Sequence, residues 1–456
     1  MVCLLPKIAR ILPLKELPSM NRVWILGLIL FALPLCVGCP SNTPTDQANK
    51  GKNEPASPSS PADDPEAVAA LEKLEGKLTK DSGGNVIRAD FTNVRFKEGQ
   101  DDKVFEPISK LAHLQQVKFY GADITDQVTT YMKDLTQLRD VSFENCVITD
   151  EGLANLTSSK DLSAFGLRRT NISNHGIEII SKFPKVRYLD FRYCNVDDEG
   201  MKFVKAMKNL EVLRTEGSLI GDAGLENVAG LTKLKFLNLR DKRITDVGIE
   251  YLKDLKNLET LELNEVACSN KGLSYLAGCT KMKKLHLFRT KVTDDGMQYL
   301  KGMTEMVDLK LRQSPVRGMN MDQLTGMKKL KDLDVSETAF SDEGVAVVSN
   351  FETLESLNLW NTFITDAGLE PLDKLKNLKK LDLQNCNLTD EGVKHLEGMT
   401  SLTSLSLKEN SSISDESIPV LLTLTNLKKL TLNFTQIYDD GVEKLKKGIP
   451  GIDVTF

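Results

Sequence analysis

Apolar positions fall into one recurring arrangement, seen cleanly in Leu234–Leu258. Leu234, Leu237 and Leu239 make an L-x-x-L-x-L run, and Phe236, Asn238 and Arg240 alternate with the last two leucines. A period of two predicts a short strand that buries its leucines on one side. Ile244-Thr245-Asp246 and Gly248 follow, and Ile249, Leu252 and Leu255 then recur at spacings of three, on one face of a helix. Asp246 precedes that face and reads as the helix N-cap, its carboxylate taking free backbone N–H groups at the positive helix end.

The unit repeats along most of the chain. Gly152, Gly176, Gly200, Gly224, Gly248, Gly272 and Gly296 lie 24 residues apart. Asn320 replaces the next, Gly344, Gly368 and Gly392 restore the frame, and one inserted residue near Ser411 shifts the last to Gly441. The Asp246 column holds Asp or Asn in nearly every unit, as at Asp126, Asn174, Asp222, Asp294 and Asp390. Two residues before the isoleucine column runs a small polar one, including Cys146, Thr170, Cys194, Ser218, Thr290, Thr362, Cys386, Ser411 and Thr435. Such donors satisfy carbonyls where the chain leaves the strand. Self-similarity at this period signals a solenoid, in which no unit buries its leucines alone and neighbours must stack.

These residues resemble the leucine-rich repeat family, with its L-x-x-L-x-L-x-x-(N/C/T)-x-L pattern. The I-(T/S)-D-x-G-(L/V/I) segment further resembles short bacterial repeats and the Cys-containing repeats of F-box proteins. The resemblance spans about fourteen units from roughly Val86 to Phe456. It implies an α/β fold: a right-handed solenoid with a parallel β-sheet on the concave face, short helices on the convex face, and binding through exposed strand positions.

Ahead of the repeats the composition changes. Residues 1–39 form a leader: basic residues, the apolar run Val23–Leu35, then Cys36-Val-Gly-Cys39. Met20 gives it ordinary length, which makes Met1–Ser19 an upstream extension. Its end resembles a bacterial lipobox with Cys39 as the lipidated residue, although Cys36 stands where that motif usually has Leu. Residues 40–65 contain six prolines among Ser, Asn, Thr and Asp and read as a disordered linker. Residues 66–113 are expected to form an N-terminal cap and first repeat. There Asp64 and Pro65 start a helix whose apolar face is Val68, Leu71, Leu74 and Leu78, and Val86–Phe91 is a first strand. The solenoid occupies 114–456 and ends on Val454–Phe456, a strand whose edge could take a partner. This order of segments points to a lipid-anchored protein of the bacterial cell envelope, facing periplasm or exterior, with its membrane contact through the anchor.

Charge and chemistry narrow the function further. A net charge of −5 gives no bulk attraction for nucleic acid. Cys146, Cys194, Cys268, Cys279 and Cys386 read as buried free thiols: Cys146 and Cys194 are two turns, hence roughly 10 Å, apart, too far for a disulfide. No Cys or His spacing suggests a metal, and no cofactor is implied. The methionines from Met297 to Met327, around the irregular Ser314–Met321 segment, read as adaptable core packing. Of four histidines only His286 falls on the concave strand positions, and Asp334, two strands away, is too distant for a catalytic contact. No enzyme is expected.

Outward strand positions supply the candidate binding residues. Arg168, Arg169, Tyr188, Arg192, Tyr193, Arg214, Phe236 and Arg240 form one expected patch. His286, Phe288, Arg289, Arg312 and Trp360 form a second, with Trp360 as an exposed anchor. Arginine and aromatic residues dominate binding energy at interfaces. The expectation is a non-catalytic, envelope-anchored scaffold that binds a protein or glycan partner through the concave face. The alternatives are a cytosolic recognition subunit or effector of the F-box-like type, and a structural or adhesive surface protein.

Overall fold

The structure, a computed structural model, describes residues 62–95 and 100–456. The leader, Cys39 and residues 40–61 of the linker lie outside the described residues. One sheet of seventeen strands runs through the described chain. Its strands are β1 (Lys77–Lys80), β2 (Val86–Asp90), β3 (Gln116–Tyr120), β4 (Asp140–Glu144), β5 (Ala164–Gly166), β6 (Tyr188–Asp190), β7 (Val212–Arg214), β8 (Phe236–Leu239) and β9 (Thr260–Leu263). They continue as β10 (Lys284–His286), β11 (Asp308–Lys310), β12 (Asp332–Asp334), β13 (Ser356–Asn358), β14 (Lys380–Asp382), β15 (Ser404–Ser406), β16 (Lys429–Thr431) and β17 (Asp453–Thr455). From β2 onward each strand pairs with the next in parallel, as in Leu213↔Leu237↔Leu261. The sheet is open, and short α- and 3-10-helical segments connect its strands, as a leucine-rich repeat solenoid requires.

The core lies between sheet and helices. Leu234, Leu237, Leu239, Ile249, Leu252 and Leu255 are fully buried, so the two periods read from the sequence meet in one interior. Near the first turns the inward positions are aromatic: Phe91, Phe119 and Phe143 stack with centroids 5.3 and 5.8 Å apart. The five cysteines of the repeats are buried and free. Met297, Met303, Met306, Met321 and Met327 are buried too, whereas Met319 is exposed.

Three local readings are corrected. The Asp column does not cap its own helices. In the helix Asp246–Glu250 the cap is Thr245, whose Oγ1 accepts from the Val247 N–H at 3.2 Å. The carboxylate instead reaches the following turn. Asp222 accepts from the Thr245 N–H (2.7 Å), the Thr245 hydroxyl (2.7 Å) and the Gly248 N–H (2.9 Å). An aspartate can span turns where threonine cannot because its second oxygen remains available for a second donor.

The second correction concerns the insertion. Asn410, not Ser411, takes the small-polar position. It is fully buried, donates to the Leu383 and Leu407 carbonyls, and accepts from the Cys386 and Leu388 N–H groups. Its amide carries both functions where a hydroxyl would leave partners short. The third concerns the cap. Helix α1 spans Pro65–Glu72 and, as expected, begins on an Asp64 cap, but Leu78 belongs to β1. Glu75 turns left-handed (φ 60°), and a Cβ on Gly76 would meet the Phe91 ring at 2.4 Å. The chain therefore reverses, and β1 pairs antiparallel with β2, covering that edge of the sheet.

Candidate functional site

The side chains on the solvent face of the sheet are set by two devices. Within strands, the residue between the paired leucines and the one two further on point away from the core. Just beyond, in most turns, one residue sits in the left-handed region: Arg169 (φ 55°), Tyr193 (58°), Glu265 (59°) and Arg289 (53°) among others. Each costs about 1 kcal/mol for a residue with a Cβ. A hydrogen bond to the next turn offsets that cost: Arg169 N–H donates to Arg192 O, Tyr193 N–H to Glu216 O and Arg289 N–H to Arg312 O, each at 2.9 Å. The left-handed turn swings these side chains sideways across the neighbouring turn, a direction that strand periodicity does not reveal.

The first group of candidates is brought together. Arg168 pairs with Glu144 and lies 5.7 Å from the Tyr193 ring centroid, and Arg169 lies 5.1 Å from the same ring. The Tyr193 hydroxyl donates to Glu216 at 2.7 Å, and Glu216 also holds Arg240 at 2.7 Å. Arg192, two residues past β6, clamps Asp190 at the end of that strand through Nε and Nη2, with contacts down to 2.6 Å, and Tyr188 leans on the same carboxylate. The Arg214 guanidinium lies 4.6 Å over the Phe236 ring.

The second group divides. Arg312 sits between Phe288 (5.3 Å) and Trp360 (4.8 Å), with Arg289 5.2 Å from Phe288. Trp360 is therefore half-buried rather than an exposed anchor: Ser336, between β11 and β13, is small enough for the indole and guanidinium to meet above it. His286 stands apart, its Nε2 3.1 Å from Asp308 Oδ2. Its carboxylate partner is on the adjacent strand, in the column two residues before the central one, and not at Asp334.

Glutamates that composition alone does not single out join the two groups. Arg240 bridges Glu216 and Glu265 (2.9 Å), and Glu265 reaches Arg289 at 3.7 Å. The run continues from Arg289 over Phe288 to Arg312, which also pairs with Glu337 at 2.5 Å. The face from β5 to β13 thus carries one continuous run of charge pairs and ring contacts, with the Arg214–Phe236 and His286–Asp308 pairs beside it. Each glutamate lies 24 or 25 residues, one turn, from an arginine it holds, and that spacing is the signal that could have found it.

The electrostatics follow from the pairing. Burial raises the Glu216 pKa, but its bonds to Arg240 and Tyr193 outweigh it and hold the carboxyl below its ordinary value. Burial, with Asp190 beside it, pushes the Tyr188 phenol up to about 12. At Asp308 burial is again the largest influence and acts upward, yet His286, Lys310 and Lys284 bring the carboxyl below its usual range. Most of the charges are therefore spent on one another. The surface suits recognition by shape and by exchange of polar partners.

Comparison with known proteins agrees with the fold. A leucine-rich repeat region model matches residues 195–390, and a leucine-rich repeat model matches 184–204 and 423–446. No functionally curated protein matches the chain. Among solved structures, a leucine-rich repeat protein of Leptospira interrogans is similar at a TM-score of 0.54 and 17% identity, covering 77% of this chain and 92% of its own. An internalin of Listeria monocytogenes is similar at a TM-score of 0.50 and 18% identity, over 86% of this chain and 94% of its own. With an open parallel sheet of one strand per turn, a leucine interior and these matches, the chain belongs to the leucine-rich repeat family.

Proposed function

We propose that the protein is a non-catalytic interaction scaffold of the bacterial cell envelope, lipid-anchored through Cys39, which binds a protein or glycan partner on the solvent face of its sheet. The observation that carries the reading is the lattice from Arg168 to Trp360. Arginines and rings are pre-positioned there across successive turns, with little side-chain entropy left to lose on association. The leader, lipobox-like end and linker support the address.

The test is cross-linked capture from envelope extracts, comparing the wild-type chain with Arg169→Glu and Trp360→Ala. Arg169 is exposed and has no carboxylate partner among the described residues, so its reversal leaves the fold intact. Arg192 is unsuitable, because reversing it would set a second carboxylate against buried Asp190. Loss of one captured species in both variants, with unchanged melting, supports the reading; undiminished capture by both refutes it. Fractionation of Cys39→Ser tests the anchor, which predicts release of the variant from membranes.

A further inference from the structure

The cations of the first group differ in one respect. Arg168 is neutralised by Glu144, Arg192 by Asp190, and Arg240 by Glu216 and Glu265. Arg214 has no hydrogen bond or ion pair to any described residue. Its neighbours in register are already engaged. Asp190 on β6 takes both arms of Arg192, and Asn238 on β8 accepts from the Glu216 N–H and donates to Glu262. The guanidinium carbon lies 4.6 Å over the Phe236 ring centroid, close enough to Tyr188 to act on its phenol, and Nε is buried without a partner among the described residues. A buried, unsatisfied donor on a charged group is costly, and such groups mark places where a partner is missing.

Beside it the sheet face is low. Ser142, Ala164 and Gly166 present almost no side chain on β4 and β5, and a Cβ on Gly166 would meet Ser142 Oγ at 2.9 Å. Tyr188, in register with Ala164, forms one wall of this trough. Gly166 and Arg214 are two strands apart, roughly 10 Å, which about three residues of extended chain span.

Resting on the scaffold reading above, we propose that Arg214 is the specificity-determining contact of this face, receiving the side-chain carboxylate of an acidic peptide segment laid extended over β5 to β8. Guanidinium and carboxylate match as a fork, and the Phe236 ring backs the guanidinium from the other side. A singly charged group is favoured over a phosphate because Asp190, in register with Arg214 on the neighbouring strand, repels a second negative charge. Arg169, the other arginine of the first group with no carboxylate partner among the described residues, adds attraction from over the Tyr193 ring.

The experiment is fluorescence anisotropy of labelled deca-glutamate with the full chain at low salt, against deca-lysine, deca-phosphoserine and polygalacturonate. Expected are binding of deca-glutamate alone, weakening as salt rises, and about tenfold loss in Arg214→Gln. Lys205→Gln, which removes an exposed cation on the helix side of the same turns, leaves affinity and melting unchanged. Equal binding by Arg214→Gln, no binding of deca-glutamate, or tighter binding of the phosphopeptide or polyuronide would overturn the proposal. If that happens while capture still depends on Arg169 and Trp360, the scaffold reading survives and the acidic-peptide assignment alone falls.

Discussion

A glycine inside a helix ordinarily costs about 1 kcal/mol against alanine, so Gly248→Ala should stabilise if propensity decided the outcome. It does not decide it here, because a Cβ at 248 would lie 2.5 Å from Asp222 Oδ1. The alanine must displace a carboxylate that makes three bonds to the next turn, each worth about 1 kcal/mol. Gly248→Ala is expected to destabilise by about 1–3 kcal/mol in urea melts. Combined with Asp222→Ala, which removes the obstructing oxygen, its further cost should fall close to zero; simple additivity would refute the coupling. The cysteines offer a second check. Burial pushes Cys146 and Cys268 up to about 12, from an ordinary 9.0. The folded state keeps these protons where the unfolded chain loses them, so their contribution to stability is full below pH 9 and is lost as pH rises towards 12. At pH 8 both should resist iodoacetamide until the protein is unfolded, and rapid native labelling would contradict their burial.

Strand and helix registers are legible in the sequence because leucine burial imposes both periods at once. The links between turns are less so. The Asp column looks like a set of caps, since Asp is a good cap and helices follow; only the fold places Asp222 beside Thr245 rather than over its own helix. Likewise His286 invites comparison with its own central column, and Asp308 is missed because it comes from another column on the next strand. The candidate site is legible as residue types and positions, but not as connections, because left-handed residues such as Tyr193 redirect side chains out of the strand frame. Asn410 shows the same limit from the other side: an extra residue is visible, but not which residue moves inward. Since its amide meets four backbone groups in a dry interior, Asn410→Leu should cost on the order of 3 kcal/mol. Ser411→Ala should be near neutral; comparable losses at both positions would show that the assignment is wrong.

A stack of turns is only as continuous as its weakest junction, since each turn contacts its neighbours alone. Most junctions here carry the carboxylate staple. At Asn174 and Asn270 an amide oxygen takes the carboxylate's place, and at Gly318 the Asp column has no side chain at all, with Asn320 in the Gly column. Asp294 still holds the turn from the preceding side, accepting from the Gly318 N–H (2.8 Å) and Met319 N–H (3.0 Å). Toward the following side, Ser341 N–H donates only to the Arg317 carbonyl, and Gly318 is pressed against Gly344, where a Cβ would come within 2.6 Å of the Gly344 Cα. Backbone contact thus replaces hydrogen bonds that are worth about 2–3 kcal/mol elsewhere. The core continues beneath through Met321 and Leu324, so the defect is confined to the helix side. Hydrogen exchange should therefore find the amides from Arg317 to Leu324 less protected than those of Asp246–Glu250, with the array opening first between the turns of Gly318 and Gly344. Asp294→Ala, which removes the remaining staple, should lower protection in this segment by more than Asp222→Ala does in its own. Equal protection in both regions would mean that leucine packing alone holds the turns together and that the aspartates contribute nothing to the continuity of the coil.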